Sequence, residues 1–217
     1  MLSEQLLNKA KEFFPDLNVK YKNETVFMEN LGKVLFFNKD FMTKYTTTLG
    51  SDIYFPDRKF EQLHPITANV VFLHELVHVH DAKKISKQFF SFLYLFPQCL
   101  SLIFLPLMLL SWKIFLPLFI LSLLPLPAFF RMYLEKRAYL VSLYSVYQLS
   151  IKKNFTVSLE DSAASYLKSF KDSGYYFMWV FKNLDKEFAN AIIKIKSGQK
   201  PYEDEVFLMI DELLAVS

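Results

Sequence analysis

The octapeptide HELVHVHD, His74 to Asp81, sets two histidines four residues apart with a glutamate beside the first. On a helix, positions i and i+4 project from one face about one turn apart, so both imidazoles reach a single ion. Zinc takes imidazole nitrogen at about 2.0–2.1 Å and suits such a pair. Glu75 lies on the neighbouring flank, where its carboxylate can accept a proton from a water polarised by the metal and return it to a leaving amine. That is the physical content of an HExxH pattern, and the chain holds only four histidines to make it from. The bland alternative is a pair of solvated or core histidines.

A catalytic zinc needs a third protein ligand and keeps its fourth position for water. No histidine follows His80, so carboxylates are the candidates for the third ligand. Glu135, in RMYLEKRAY, is best placed: the small Ala138 three residues on lets its helix approach the His74 helix closely. Its alternative is a surface partner for Arg131 or Lys136. Asp81 shares the face of His74 and His78 and either orients a ligand histidine from behind or caps the helix. His80 points about 200° around from His78 and is not expected to reach the metal.

The elements that must position these residues read as follows. HPITANVVFLHELVHVHDAKK has Pro65 and Thr67 at its start and lysines at its end, as a helix should. Ahead of it, TVFM, KVLFF and SDIYF alternate with turn residues and read as short strands of a small sheet. MLSEQLLNKAKEFFPDL has helical spacing and none of the character of a signal peptide, which puts the start of the chain in the cytoplasm. Beyond residue 130, RMYLEKRAYLVSLYSVYQLS, SLEDSAASYLKSF, a segment near 174–197 closed by Gly198, and YEDEVFLMIDELLAV all read as helices, with Ser158 and Asp161 in capping-box-like positions.

Between them, residues 88–130 carry a single charge, Lys113. Trp112 and Lys113 split the stretch into two apolar segments near the about 20 residues that cross a bilayer, although five prolines also allow a buried or re-entrant hairpin. Lys83, Lys84 and Lys87 before it and Arg131, Lys136 and Arg137 after it place both ends in the cytoplasm by the positive-inside rule. The expected organisation is α+β: residues 1–87 with the sheet and HExxH helix, a two-helix transmembrane hairpin over 88–130, and the glutamate helix with a helical region over 131–217. That organisation predicts an integral membrane protein with a lipid bilayer as partner and the site on the cytoplasmic side.

Composition agrees with a membrane class. Of the 217 residues, 53% are hydrophobic and 18% aromatic, with four glycines. The single Cys99 cannot form an internal disulfide. With 25 Lys+Arg against 22 Asp+Glu, the charge of +3 is too slight and scattered for a nucleic-acid groove.

The segments TTTLGSDIYFPD, FLHELVHVHD and RMYLEKRAY resemble the gluzincin metallopeptidases, the thermolysin-like clan, in the form of minimal gluzincin domains of bacteria and phages. The resemblance runs from about Lys44 to Tyr139, interrupted by the hairpin. It implies His74, His78 and Glu135 as zinc ligands, Glu75 as general base, and Asp52, Ile53 and Tyr54 as a sheet-edge strand along which a peptide substrate lies. The downstream oxyanion-stabilising histidine of many gluzincins is absent, leaving Tyr139, Tyr144, Tyr175 and Tyr176 as unassigned substitutes. The expected activity is that of a membrane-anchored zinc endopeptidase on a peptide or protein substrate. The alternatives are a non-catalytic membrane or virion component keeping the scaffold and a structural zinc, and a zinc hydrolase of lipid-linked or cell-wall amides.

Overall fold

The computed structural model describes residues 2–35, 38, 40–124, 126–171, 178 and 183–217. Helices dominate. Ser3 caps α1 (Glu4–Phe13), accepting from the Leu6 amide, and strand β1 (Asn18–Tyr21) follows. Helix α2 (Val26–Val34) leads to strands β2 (Thr47–Leu49) and β3 (Asp52–Phe55). Two helices come next, α3 (Arg58–Leu63) and the long α4 (Pro65–Ile85), which carries the histidines. Pro65 occupies the first turn of α4, where a missing N–H costs nothing.

The sheet has the order β1-β3-β2, with β1 parallel and β2 antiparallel to β3. Two of the three expected strands are helical instead. Val26 to Met28 and Lys33 to Val34 lie in α2, and Met28, Leu31 and the C-cap Leu35 recur at helical spacing and pack against Phe41 and Tyr54, while Phe36 and Phe37 lie outside the described residues. The Asp52–Tyr54 segment is a strand, but the central one, paired on both sides; the free edge belongs to Thr47–Leu49. A β-favouring run does not reveal whether its neighbours occupy one flank or two. Lys22 is fully buried, its Nζ donating to the carbonyls of Phe41 at 2.6 Å and Tyr45 at 2.7 Å. It thereby ties down the chain entering β2. Burial lowers its pKa to about 8, partly offset by the Glu75 carboxylate.

Residues 88–130 form short helices: α5 (Lys87–Leu95), α6 (Ser101–Leu107) and α7 (Trp112–Leu123). The expected pair of membrane-crossing helices is not found, and with it the α+β description gives way to a mainly helical protein with a small sheet. Among the described residues no single helix is long and apolar enough to cross a membrane, and the α5 segment meets the next at a bend of 102°. The reason is local. Pro97, whose ring locks φ and which has no N–H, falls where a spanning helix would need continuity, and Ser111 is extended between α6 and α7.

Helix α8 (Phe129–Lys153) then returns alongside α4, followed by α9 (Leu159–Lys171), α10 (Leu184–Lys196) and α11 (Glu205–Ala215). The Asp161 amide donates to Ser158 Oγ at 3.1 Å, as a cap requires. The stretch 174–177, expected at the start of the α10 helix, and Pro125 lie outside the described residues. One continuous core draws Leu6, Phe72, Leu76 and Val77 from the first part of the chain and Leu140, Phe170, Phe188 and Phe207 from the last.

Candidate metal centre

The site forms where α4 and α8 pack side by side. Positions 74, 75 and 78 fall on the buried side of α4, and Glu135 and Ala138 on the buried side of α8. Ala138 is fully buried and presents only a methyl group at the contact. Glu135 is likewise fully buried, not a surface partner of Arg131 or Lys136.

Its carboxylate sits between the imidazoles. Oε2 lies 3.3 Å from His74 Nε2 and Oε1 3.4 Å from His78 Nε2. Ligand atoms of the three residues all fall within 4.8 Å of one another. Ligands about 2.0–2.1 Å from a tetrahedral ion stand about 3.4 Å apart, so the spacing suits one. Glu135 Oε2 is buried without a hydrogen-bond partner, an orphan that a cation would satisfy.

Burial raises the cost of a charge on Glu135, but the two imidazoles outweigh it and hold the carboxyl far below the usual range. For His78 burial works against protonation, yet the Glu135 carboxylate prevails and lifts the imidazole to about 9. Before metal enters, the pair is therefore ionic.

Ser142, one turn beyond Ala138 on α8, orients His74. Its Oγ donates to the Ala138 carbonyl at 3.1 Å and lies 3.1 Å from His74 Nδ1. With the single hydroxyl proton so used, Ser142 Oγ is left to accept from Nδ1–H, which turns Nε2 toward Glu135. Asp81 does not play this part. It accepts from Arg137 Nη1 at 2.9 Å and faces His80 Nδ1 at 3.2 Å, touching neither His74 nor His78. Arg137 draws it away, because the guanidinium also reaches Asp204 at 3.1 Å and locks α4 to the start of α11. His80 is engaged with Asp81 and Glu205.

Glu75 is buried and its Oε2 accepts from Thr48 Oγ1 at 2.6 Å, so the edge strand β2 holds it in place. It lies between two cavities. One, of about 380 Å³, is lined by Leu31, Leu35, Phe90, Tyr94, His78 and Glu135. The other, of about 250 Å³, includes His74, Tyr139, Ser142 and Tyr166.

Of the tyrosines named from the sequence, Tyr139 packs edge-on against His74, with centroids 4.8 Å apart. Tyr144 donates to Asp211 at 2.6 Å on the far side of α8, and Tyr175 and Tyr176 lie outside the described residues. The sequence reading missed Tyr94, whose hydroxyl donates to Glu135 Oε1 at 2.6 Å. Nothing in an apolar run marks it; its only signal is a hydroxyl at helical spacing from Phe90, which shares the inward face of α5. Burial, reinforced by Glu135, raises its pKa and keeps it a donor. Thr48 and Ser142 were likewise missed, since both act through pairings between distant segments.

No family model, curated protein or solved structure matches this chain. The gluzincin resemblance thus rests on the motifs quoted above, and nothing in the comparisons identifies that family.

Proposed function

We propose that the chain is a zinc-dependent metallopeptidase that cleaves peptide bonds with water. The observation that carries this reading is the convergence of His74, His78 and Glu135 from two helices, with Glu75 buried beside them. A zinc ion held by the two Nε2 atoms and the Glu135 carboxylate would supply a Lewis acid and lower the pKa of a water. Glu75 accepts the proton of the attacking water. The same carboxyl then delivers that proton to the leaving amine nitrogen, so the residue ends the cycle as it began. The hydrogen bond from Thr48 fixes which oxygen is free for the exchange.

Strand β2 offers its outer edge to an extended peptide by strand addition. The larger cavity, with Leu31, Leu35 and Phe90 around it, suits an apolar side chain of that peptide. A structural zinc would need a fourth protein ligand; of the two acids near the histidines in sequence, Asp81 is committed to Arg137 and Glu75 accepts from Thr48 on one oxygen. That favours an enzyme over a metal-stapled scaffold. Metal analysis paired with Glu75→Gln tests the proposal on a mixed peptide library. Wild type should carry about one zinc per chain and cleave, while the variant keeps zinc and loses cleavage. A wild type purified without chelators that holds no zinc, or a variant that still cleaves at the same rate, overturns it.

A further inference from the structure

Residues 88–130 are apolar almost throughout, yet only Phe90 and Ala128 among their described hydrophobic residues are buried, and neither joins the main core. Leu102 is 72% exposed, Leu109 92%, Leu110 78% and Trp112 61%. Soluble monomers rarely leave such a contiguous surface open to water. Its charge is also one-sided: from Ala82 to Leu134 the chain has not one Asp or Glu, and the exposed cations are Lys83, Lys84, Lys87 and Lys113, Arg131 being buried against Tyr94.

We infer that α5, α6 and α7 form a docking surface that lies in one leaflet of an anionic lipid bilayer without crossing it. Apolar side chains enter the acyl region while the exposed lysines meet anionic headgroups. Length and charge set the orientation. At 1.5 Å per residue the 12-residue α7 spans about 18 Å, short of the about 30 Å hydrocarbon core. Stood upright, the hairpin would bring the exposed Lys113, in the first turn of α7, deep among the acyl chains. Laid in the plane, the same turn puts Trp112 and Lys113 at the interface, where an indole and a long ammonium chain are favoured. Helix α5 joins this surface to the candidate metal centre: Phe89 and Phe92 face outward, at 52% and 43% exposure, while Phe90 and Tyr94 line the cavity beside Glu135. The docked chain holds that cavity beside the lipid. The inference does not depend on hydrolysis, since lipid binding is read separately.

Flotation of the full chain, diluted from detergent into vesicles, tests it. The protein should float with vesicles of phosphatidylcholine and phosphatidylglycerol, less with phosphatidylcholine alone, and less again at high salt. Leu109→Glu combined with Leu110→Glu, at positions too exposed to affect folding, should weaken binding by at least about 100-fold, since each leucine contributes through burial in lipid. Zinc content of that variant should be unchanged. In a Trp179→Phe background, Trp112 fluorescence should shift to the blue on vesicles and be quenched by shallow rather than deep brominated lipids. Quenching strongest near the bilayer centre, or labelling from the far side of Lys113→Cys in a Cys99→Ser background, overturns the in-plane arrangement. Failure to float with either vesicle, or an oligomer that the two glutamates dissolve without any lipid binding, means that the face covers a second copy and sinks the inference.

Discussion

Glu135 is the residue on which the site turns, because its carboxylate alone bridges both imidazoles from another helix. Glu135→Ala should lower zinc affinity well beyond the roughly 10- to 100-fold typical of supporting residues, whereas Ser142→Ala should stay within that range. Glu160→Ala, which breaks only an exposed pair with Lys196, should leave zinc untouched; competition titration with a chromophoric chelator ranks all three. A pH dependence follows from His78. With its pKa raised to about 9, the imidazole must release a proton before it can bind metal at neutral pH. Zinc affinity should therefore climb by up to about tenfold per pH unit from the neutral range and level off near pH 9. In the metal-free protein the sign is opposite: the His78–Glu135 pair contributes stability fully below the ordinary imidazole pKa, and that contribution disappears as pH rises through about 9. An affinity that does not vary with pH over this range would mean that His78 is neutral before zinc arrives.

Among the elements, β2 does what the sequence reading gave to Asp52–Tyr54. It is the edge of the sheet, and its Thr48 holds the Glu75 carboxylate. Thr48→Val keeps the β-branched shape but removes the donor, so hydrolysis should drop on the order of tenfold to a hundredfold through lost orientation. Zinc content should not change, because Thr48 is not among the three clustered ligands. A fall in bound zinc matching the fall in rate would show that β2 supports the metal rather than the base. The opposite substitution pattern holds in β3, where Ile53 is fully buried in the core and its replacement would act on stability.

At the scale of the whole molecule, His74, His78 and Glu135 join α4 to α8 across the segment that carries the apolar surface. On the proposed reading, zinc bound to the native state alone should add about 2.7 kcal/mol when free zinc is 100 times Kd. For a chain of 217 residues that corresponds to a rise in Tm of roughly 5–10 °C, reversed by chelator and absent in Glu135→Ala. Calorimetry on both proteins measures it, and an equal rise in the variant would place the stabilising zinc elsewhere. By itself the sequence determined the HExxH helix, because the spacing of His74, Glu75 and His78 is a local property of 3.6-residue periodicity. It also determined the helices after residue 130 and the capping by Ser158, which depend on near neighbours. Only the tertiary structure decided that Ser142 rather than Asp81 orients His74, that Thr48 and Tyr94 reach the site, and that β3 is central. Each of these is a pairing between segments far apart in the chain, and the winner depends on competitors such as Arg137 that no local pattern reveals. The apolar run divides in the same way: its composition was plain in the sequence, whereas its length as helix was settled by the breaks near Pro97 and Ser111 and by the packing around them.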